Sequence, residues 1–170
     1  MLELESAIFF TFESIGIEKI PKIIEYSLIS RTDEFDIFNL GFGTHSVVEG
    51  RILDEDVSNN GDVFKVFNTI LSSIPLFFLL EPNALLMIAG SDTGEQYISR
   101  CRMSCVKKCD RICRNENRRI SLYRKYIEKN YDLLSGTYRF LGSNFLWDEQ
   151  MTFESFQPNK PYRSLFVKQI

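Results

Sequence analysis

The stretch SNNGDVFKVFNTILSSIPLFFLLEPNALLMIA, Ser58 to Ala89, changes the period of the chain. Before it the apolar residues follow strand patterns. Within it Val63, Val66, Phe67, Ile70, Leu71 and Ile74 fall on one helical face. Ser58 or Asn60 is placed to cap the new helix, and Asp62 suits its positive end. Pro75 is expected to end or kink it, because proline lacks the N–H and clashes with the preceding turn. Pro82-Asn83 makes the next turn, and Ala84 to Ala89 is a continuous apolar run of strand length, as a buried central strand requires.

Working outward, Ala7–Phe12, Glu25–Ser30 and Phe35–Phe42 read as three strands, with Arg31-Thr32-Asp33 as a turn and Val47–Leu53 as a fourth strand. On the other side, Asp92 and Glu95 have the spacing of a capping box opening a second helix. Helical spacing then runs through Ile98, Cys101, Cys105, Cys109 and Ile112, weakens at Asn115-Glu116-Asn117, and resumes with Ile120, Tyr123 and Ile127. Tyr138–Leu141 and Arg163–Val167 read as closing strands. The fold expected is α+β in a single domain, residues 1–170: an antiparallel or mixed sheet with two principal helical segments and a basic, cysteine-bearing helical extension.

Length and composition agree with that reading. With 170 residues, 44% hydrophobic and 25% charged, the chain suits one ordinary globular domain. The N-terminus has no basic region or cleavage site of a secretory signal. The longest uninterrupted apolar run, Ile74 to Leu80, is far short of the roughly 20 residues of a membrane span. A cytoplasmic protein with reduced thiols and no membrane helix is the expectation.

The net charge of -3 hides an asymmetry. Ten of the 20 Lys and Arg lie between Arg100 and Lys125 against two acids, Asp110 and Glu116, a local balance of +8; the rest, with ten cations and 21 acids, carries -11. Lys107, Lys108, Arg111, Arg114, Arg118, Arg119 and Arg124 are the candidate contacts for nucleic-acid phosphates or an acidic protein partner. A solvated face paired with acids of the same chain is the competing reading.

Cys101, Cys105, Cys109 and Cys113 are spaced by four within that window. On a straight helix the first and last stand about 18 Å apart and drift through about 120°, too far for one zinc with sulfurs about 2.3 Å away. The expectation is four small core residues and no metal or other cofactor. A broken helix or a second chain would restore the four-thiol alternative. The loops at Asn59-Asn60-Gly61 and Gly90-Ser91 precede helices, and Asn59, Asn60, Gly61, Ser91 and Tyr123 are candidates for binding a small anion, although Asp62 and Asp92 favour ordinary capping. One histidine, His45, gives a nucleophile-histidine arrangement little to work with, and the catalytic residues are unknown.

Ser58-Asn59-Asn60-Gly61-Asp62, Lys65-Val66, Thr69, Pro82-Asn83, Gly90-Ser91, Arg118-Arg119 and Leu122-Tyr123 together resemble an uncharacterised family of small bacterial proteins, common in Bacteroidota. Its members share an SNNGD turn, a Gly-Ser strand end and an Arg-x-x-Leu-Tyr helix. The likeness spans roughly Glu25 to Gly142 and makes Thr93 to Asn117 a helical insertion. The order of elements from Asp62 to Gly142 is also similar to the C-terminal half of the Gcn5-related acyltransferases, without their Gly-x-Gly loop. Two functions follow as expectations. The first is a binding protein, one half of a toxin-antitoxin-like pair, acting through residues 100–125. The alternative is an acyltransferase-like or phosphate-handling enzyme with a site near 58–62 and 90–92.

Overall fold

Phe10, Phe12 and Ser14 alternate with the exposed Phe9, Thr11, Glu13 and Ile15 along β1 (Ala7–Ile15), the period of a strand with one covered face. The computed structural model describes residues 7–46, 51–53, 60–105, 107–110, 112–146 and 152–170. β1 pairs antiparallel with β2 (Lys19–Arg31), which pairs antiparallel with β3 (Asp36–Ser46); β4 (Arg51–Leu53) pairs with β3. Thr32 closes the β2–β3 turn, its N–H donating to the Phe35 carbonyl at 3.1 Å. Residues 47–50 of the expected fourth strand lie outside the described residues. The fold class is α+β with a mixed sheet, as expected.

The chain forms two compact units, Met1–Leu86 with Gln169 and Met87–Lys168 with Ile170. β5 (Leu85–Ala89) carries it from one to the other. In the first unit, α1 (Val63–Leu80) lays Phe67, Ile70, Ile74, Phe77 and Phe78 inward. The Phe77 ring stacks on Tyr26 with centroids 4.4 Å apart and meets Phe38 edge-on at 5.2 Å. The Tyr26 hydroxyl shares a 2.6 Å hydrogen bond with Ser73 Oγ, so its one polar atom is satisfied inside the apolar cluster.

Of the two outcomes expected at Pro75, an end or a kink, the helix does not end there; Pro75 lies inside α1. The lost bond to the Leu71 carbonyl and the ring clash together cost about 3 kcal/mol. Burial of Phe77 and Phe78 beyond it offsets that cost, at about 1.5–3 kcal/mol per large side chain. Continuity through Pro75 also makes α1 long and apolar enough, by length and composition, to cross a membrane, which the shorter run Ile74–Leu80 did not suggest. Its inward face packs as that of a core helix.

In the second unit the strand order is β5, β8 (Ser164–Gln169), β6 (Tyr138–Ser143), β7 (Glu154–Ser155), the last pair antiparallel. Leu165, Phe166 and Val167 of β8 are buried, as are Ile120 and Ile127 of α3 (Arg118–Lys129). Phe156 stacks on Tyr131 of the short α4 (Tyr131–Leu134) and meets Phe140 edge-on. α2 (Gly94–Ser104) is the remaining helix of this unit among the described residues.

Candidate functional site

Asn60 shows how the SNNGD turn is used. Its side-chain amide pairs with the backbone of Glu18 as a neighbouring strand would, accepting from the Glu18 N–H at 2.8 Å and donating to the Glu18 carbonyl at 2.9 Å, and donates to Ser14 Oγ at 3.1 Å. The Asn60 carbonyl accepts the Ile17 N–H. Asn60 thus ties the β1–β2 hairpin to the start of α1, with all its side-chain polar atoms engaged. A Cβ on Gly16 would stand 1.9 Å from the Asn60 carbonyl oxygen, so only glycine permits the approach.

Asp62 is the first flanking residue of α1 but makes no side-chain cap; its carboxylate accepts the Ser14 hydroxyl instead. Asn60 does not cap either, and Ser58 and Asn59 lie outside the described residues. Gly61, at φ 75°, supplies the left-handed turn between them. A recess of about 320 Å³ opens beside Asp62, lined by Glu13, Ser14, Lys65 and Thr69 among others. Asn60 does not line it. Two carboxylates against one cation disfavour an anionic ligand there.

The second turn is built around Asp92. The expected capping box is absent: Thr93 precedes α2 with no side-chain cap. Asp92 serves a different helix. One carboxylate oxygen accepts the Arg119 backbone N–H at 2.9 Å, and its carbonyl accepts the Asn117 N–H at 2.8 Å. These bonds satisfy N–H groups at the start of α3, and the negative charge suits that helix end. Ser91 Oγ accepts from the Arg119 guanidinium at 2.6 Å. A Cβ at Gly90 would meet the Asp92 carboxylate at 2.4 Å. The Gly-Ser strand end and the Arg-x-x-Leu-Tyr helix are thereby joined at the base of the intervening segment, with Tyr123 half-buried one turn along α3.

That intervening segment corrects the expectation of one helix through the cysteines. α2 stops at Ser104, Cys105 takes an extended conformation (φ −69°, ψ 107°), and Lys108 lies at φ 46°. A continuous helix would stack Lys107, Lys108, Arg111 and Arg114 at spacings of three and four, and like charges so placed destabilise a helix. The premise that held the thiols apart is therefore removed. Cys105 and Cys109 Sγ are 3.6 Å apart. Asn115 Nδ2 reaches the sulfurs of both Cys101 and Cys105, the latter at 3.8 Å. Asn115 Nδ2 donates to Cys101 Sγ at 3.3 Å, and the Arg114 backbone N–H donates to Cys109 Sγ at 3.3 Å. Cys113 is buried and the other three are half-buried.

These contacts set the thiol chemistry. The backbone N–H of Cys109, helped by the Cys109 thiol and the N–H of Lys107, holds Cys105 down at about 7 against the effect of burial. At Cys101 the Asn115 amide lowers the pKa, but burial and the Cys113 and Cys105 thiols outweigh it and push the group up. Among the described residues, no three His, Cys, Asp or Glu side chains already stand as a set that could hold a metal ion.

The cations flank these cysteines along the chain. Arg102, Lys107, Lys108, Arg114, Arg118 and Lys125 are exposed. Arg119 is held at Ser91, and Arg124 pairs with Glu128 at 3.6 Å one turn on, so these two serve α3 locally. Arg111 lies outside the described residues. The sequence reading missed the Asp92–Arg119 cap and the Asn115–Cys101 bond, since both depend on where the helix breaks.

A family model matches residues 2–108, more than half of the chain. The chain belongs to DUF6934, a family of unknown function. The matched part of this DUF6934 protein holds both helix-start turns, Cys101 and Cys105, and stops before Cys109. It begins and ends earlier than the span Glu25 to Gly142 expected from the resemblance, but agrees with membership of an uncharacterised family. No curated protein and no solved structure matches the chain.

Proposed function

We propose that this DUF6934 protein is a polyanion-binding protein and that its second unit holds a nucleic-acid backbone through Lys107, Lys108, Arg114 and Arg118, with Arg102 beside them. The observation that carries the reading is the exposure of these cations around one helix break, where Asp110 is the exposed acid among them. Each cation that neutralises a phosphate releases a condensed counterion, so such a surface binds without base recognition and with strong salt dependence. The enzyme reading takes second place, because Asn60 is committed to the hairpin and the recess beside Asp62 is lined with carboxylates.

Fluorescence anisotropy with labelled single-stranded RNA and duplex DNA at low salt tests the reading. The unmodified chain binds, and the combined change Lys107→Glu, Lys108→Glu, Arg114→Glu and Arg118→Glu abolishes binding. Binding of polyglutamate with neither nucleic acid retained would move the assignment to an acidic protein partner.

A further inference from the structure

The four cysteines lie close together, among N–H donors and cationic side chains. In a tetrahedral zinc site with Zn–S bonds of about 2.3 Å, neighbouring sulfurs lie about 3.8 Å apart. Cys105 and Cys109 already stand at 3.6 Å. Asn115 Nδ2 donates to Cys101 Sγ at 3.3 Å and reaches Cys105 Sγ at 3.8 Å, which brings a third thiol to the pair, and the Cys113 thiol is near enough to act on that of Cys101. These thiols are not yet a closed ligand set. The thiols sit on a helix end and an irregular loop, and closing the set takes a change of side-chain rotamers and of that loop.

Two N–H donors point at sulfur as acceptor, Asn115 Nδ2 at Cys101 and the Arg114 backbone at Cys109. Donors of this kind stabilise a coordinated thiolate and fix its direction. The exposed side chains of Arg102, Lys107, Lys108 and Arg114 offset the charge of −2 that four thiolates leave on a divalent ion. We infer that Cys101, Cys105, Cys109 and Cys113 form a structural zinc site that closes the 101–113 segment. Zinc binds as the four thiol protons pass to buffer; no oxidant or reductant takes part. Soft thiolate ligands select zinc over hard ions such as magnesium or calcium. The inference does not rest on the nucleic-acid reading, since metal content is measured on the protein alone.

The test uses the full chain, reduced and stripped with a chelator, and then titrated with Zn²⁺ against a chromophoric competitor. One ion per chain is expected. Co²⁺ in its place should give thiolate charge-transfer bands and the intense visible bands of a tetrahedral site, both erased by Zn²⁺. Cys101→Ser, Cys105→Ser, Cys109→Ser and Cys113→Ser should each lose stoichiometric binding. Asn115→Ala should keep the tetrahedral cobalt spectrum while weakening affinity about 10- to 100-fold, as for other groups behind the ligands. Failure of the unmodified chain to bind Zn²⁺ stoichiometrically, or a cobalt spectrum without tetrahedral thiolate bands, overturns the inference; both are read without any variant. Binding that survives Cys101→Ser and Cys113→Ser also overturns it.

Discussion

The carboxylate of Asp92 accepts the backbone N–H of Arg119 at 2.9 Å, joining the end of β5 to the start of α3 across 27 residues. Everything between them leaves and returns at one place, because the Asn117 N–H also ends on the Asp92 carbonyl. The cysteine-bearing segment is thus anchored at its base by a buried side chain.

Asp92→Ala removes that cap. A stability loss of about 1–3 kcal/mol is expected, since a charged acceptor for a helix-start N–H is lost in a buried place. Asp92→Asn, which keeps an acceptor without the charge, should fall between. Urea unfolding checks both; an unchanged midpoint for Asp92→Ala would remove the cap from the account.

Pro75→Ala is expected to stabilise the protein by about 1–3 kcal/mol, because it restores an N–H within a continuous helix and Pro75 is exposed, so no buried contact is lost. A destabilised Pro75→Ala variant would mean that the helix does not run on to Leu80.

Gly16→Ala and Gly61→Ala separate close approach from backbone strain. A Cβ at Gly16 would collide with the Asn60 carbonyl, whereas the space at Gly61 is open and only its φ of 75° resists substitution. The Gly61 change should cost about 1 kcal/mol and the Gly16 change clearly more. Thermal melts of the two variants side by side give the ranking.

The strand and helix positions were legible where local pattern and burial agree. Ala84–Ala89 is wholly apolar and became β5, one residue shorter. The extension of β1 to Ile15 and the early start of β2 at Lys19 were not legible, because what holds that hairpin is Asn60, more than 40 residues away. That α1 runs on through Pro75 is not legible, because the local cost of proline is visible in sequence and the burial of Phe77 and Phe78 is not. Asp92 and Glu95 had capping-box spacing, yet a distant helix took the carboxylate. For the candidate site, the basic window and the four-residue cysteine spacing were plain. What could not be read was the break at Cys105, which gathers thiols that a straight helix separates. β7, two residues long, offers no pattern to find.

Tyr26 gives the pH dependence. Burial, partly opposed by its hydrogen bond with Ser73, pushes its pKa from 10.0 to about 12. The folded-state value is raised, so the stabilisation is complete below pH 10 and is lost as pH rises toward 12, an amount on the order of 3 kcal/mol. Tyr26→Phe should be less stable at neutral pH by about 1 kcal/mol, for the lost hydrogen bond, and should lack this component of the alkaline decline. Chemical unfolding at pH 9 and pH 11.5 measures both effects.

The polyanion-binding reading meets its most direct test in the salt dependence of affinity for a single-stranded oligonucleotide. If four cations around the break contact phosphates, log K falls linearly with log salt with a slope of about −3. Lys107→Glu, Lys108→Glu, Arg114→Glu and Arg118→Glu together then remove binding, and single changes each reduce the slope by a fraction of a unit. No binding at low salt, or a slope that the four changes leave as it was, would contradict the account.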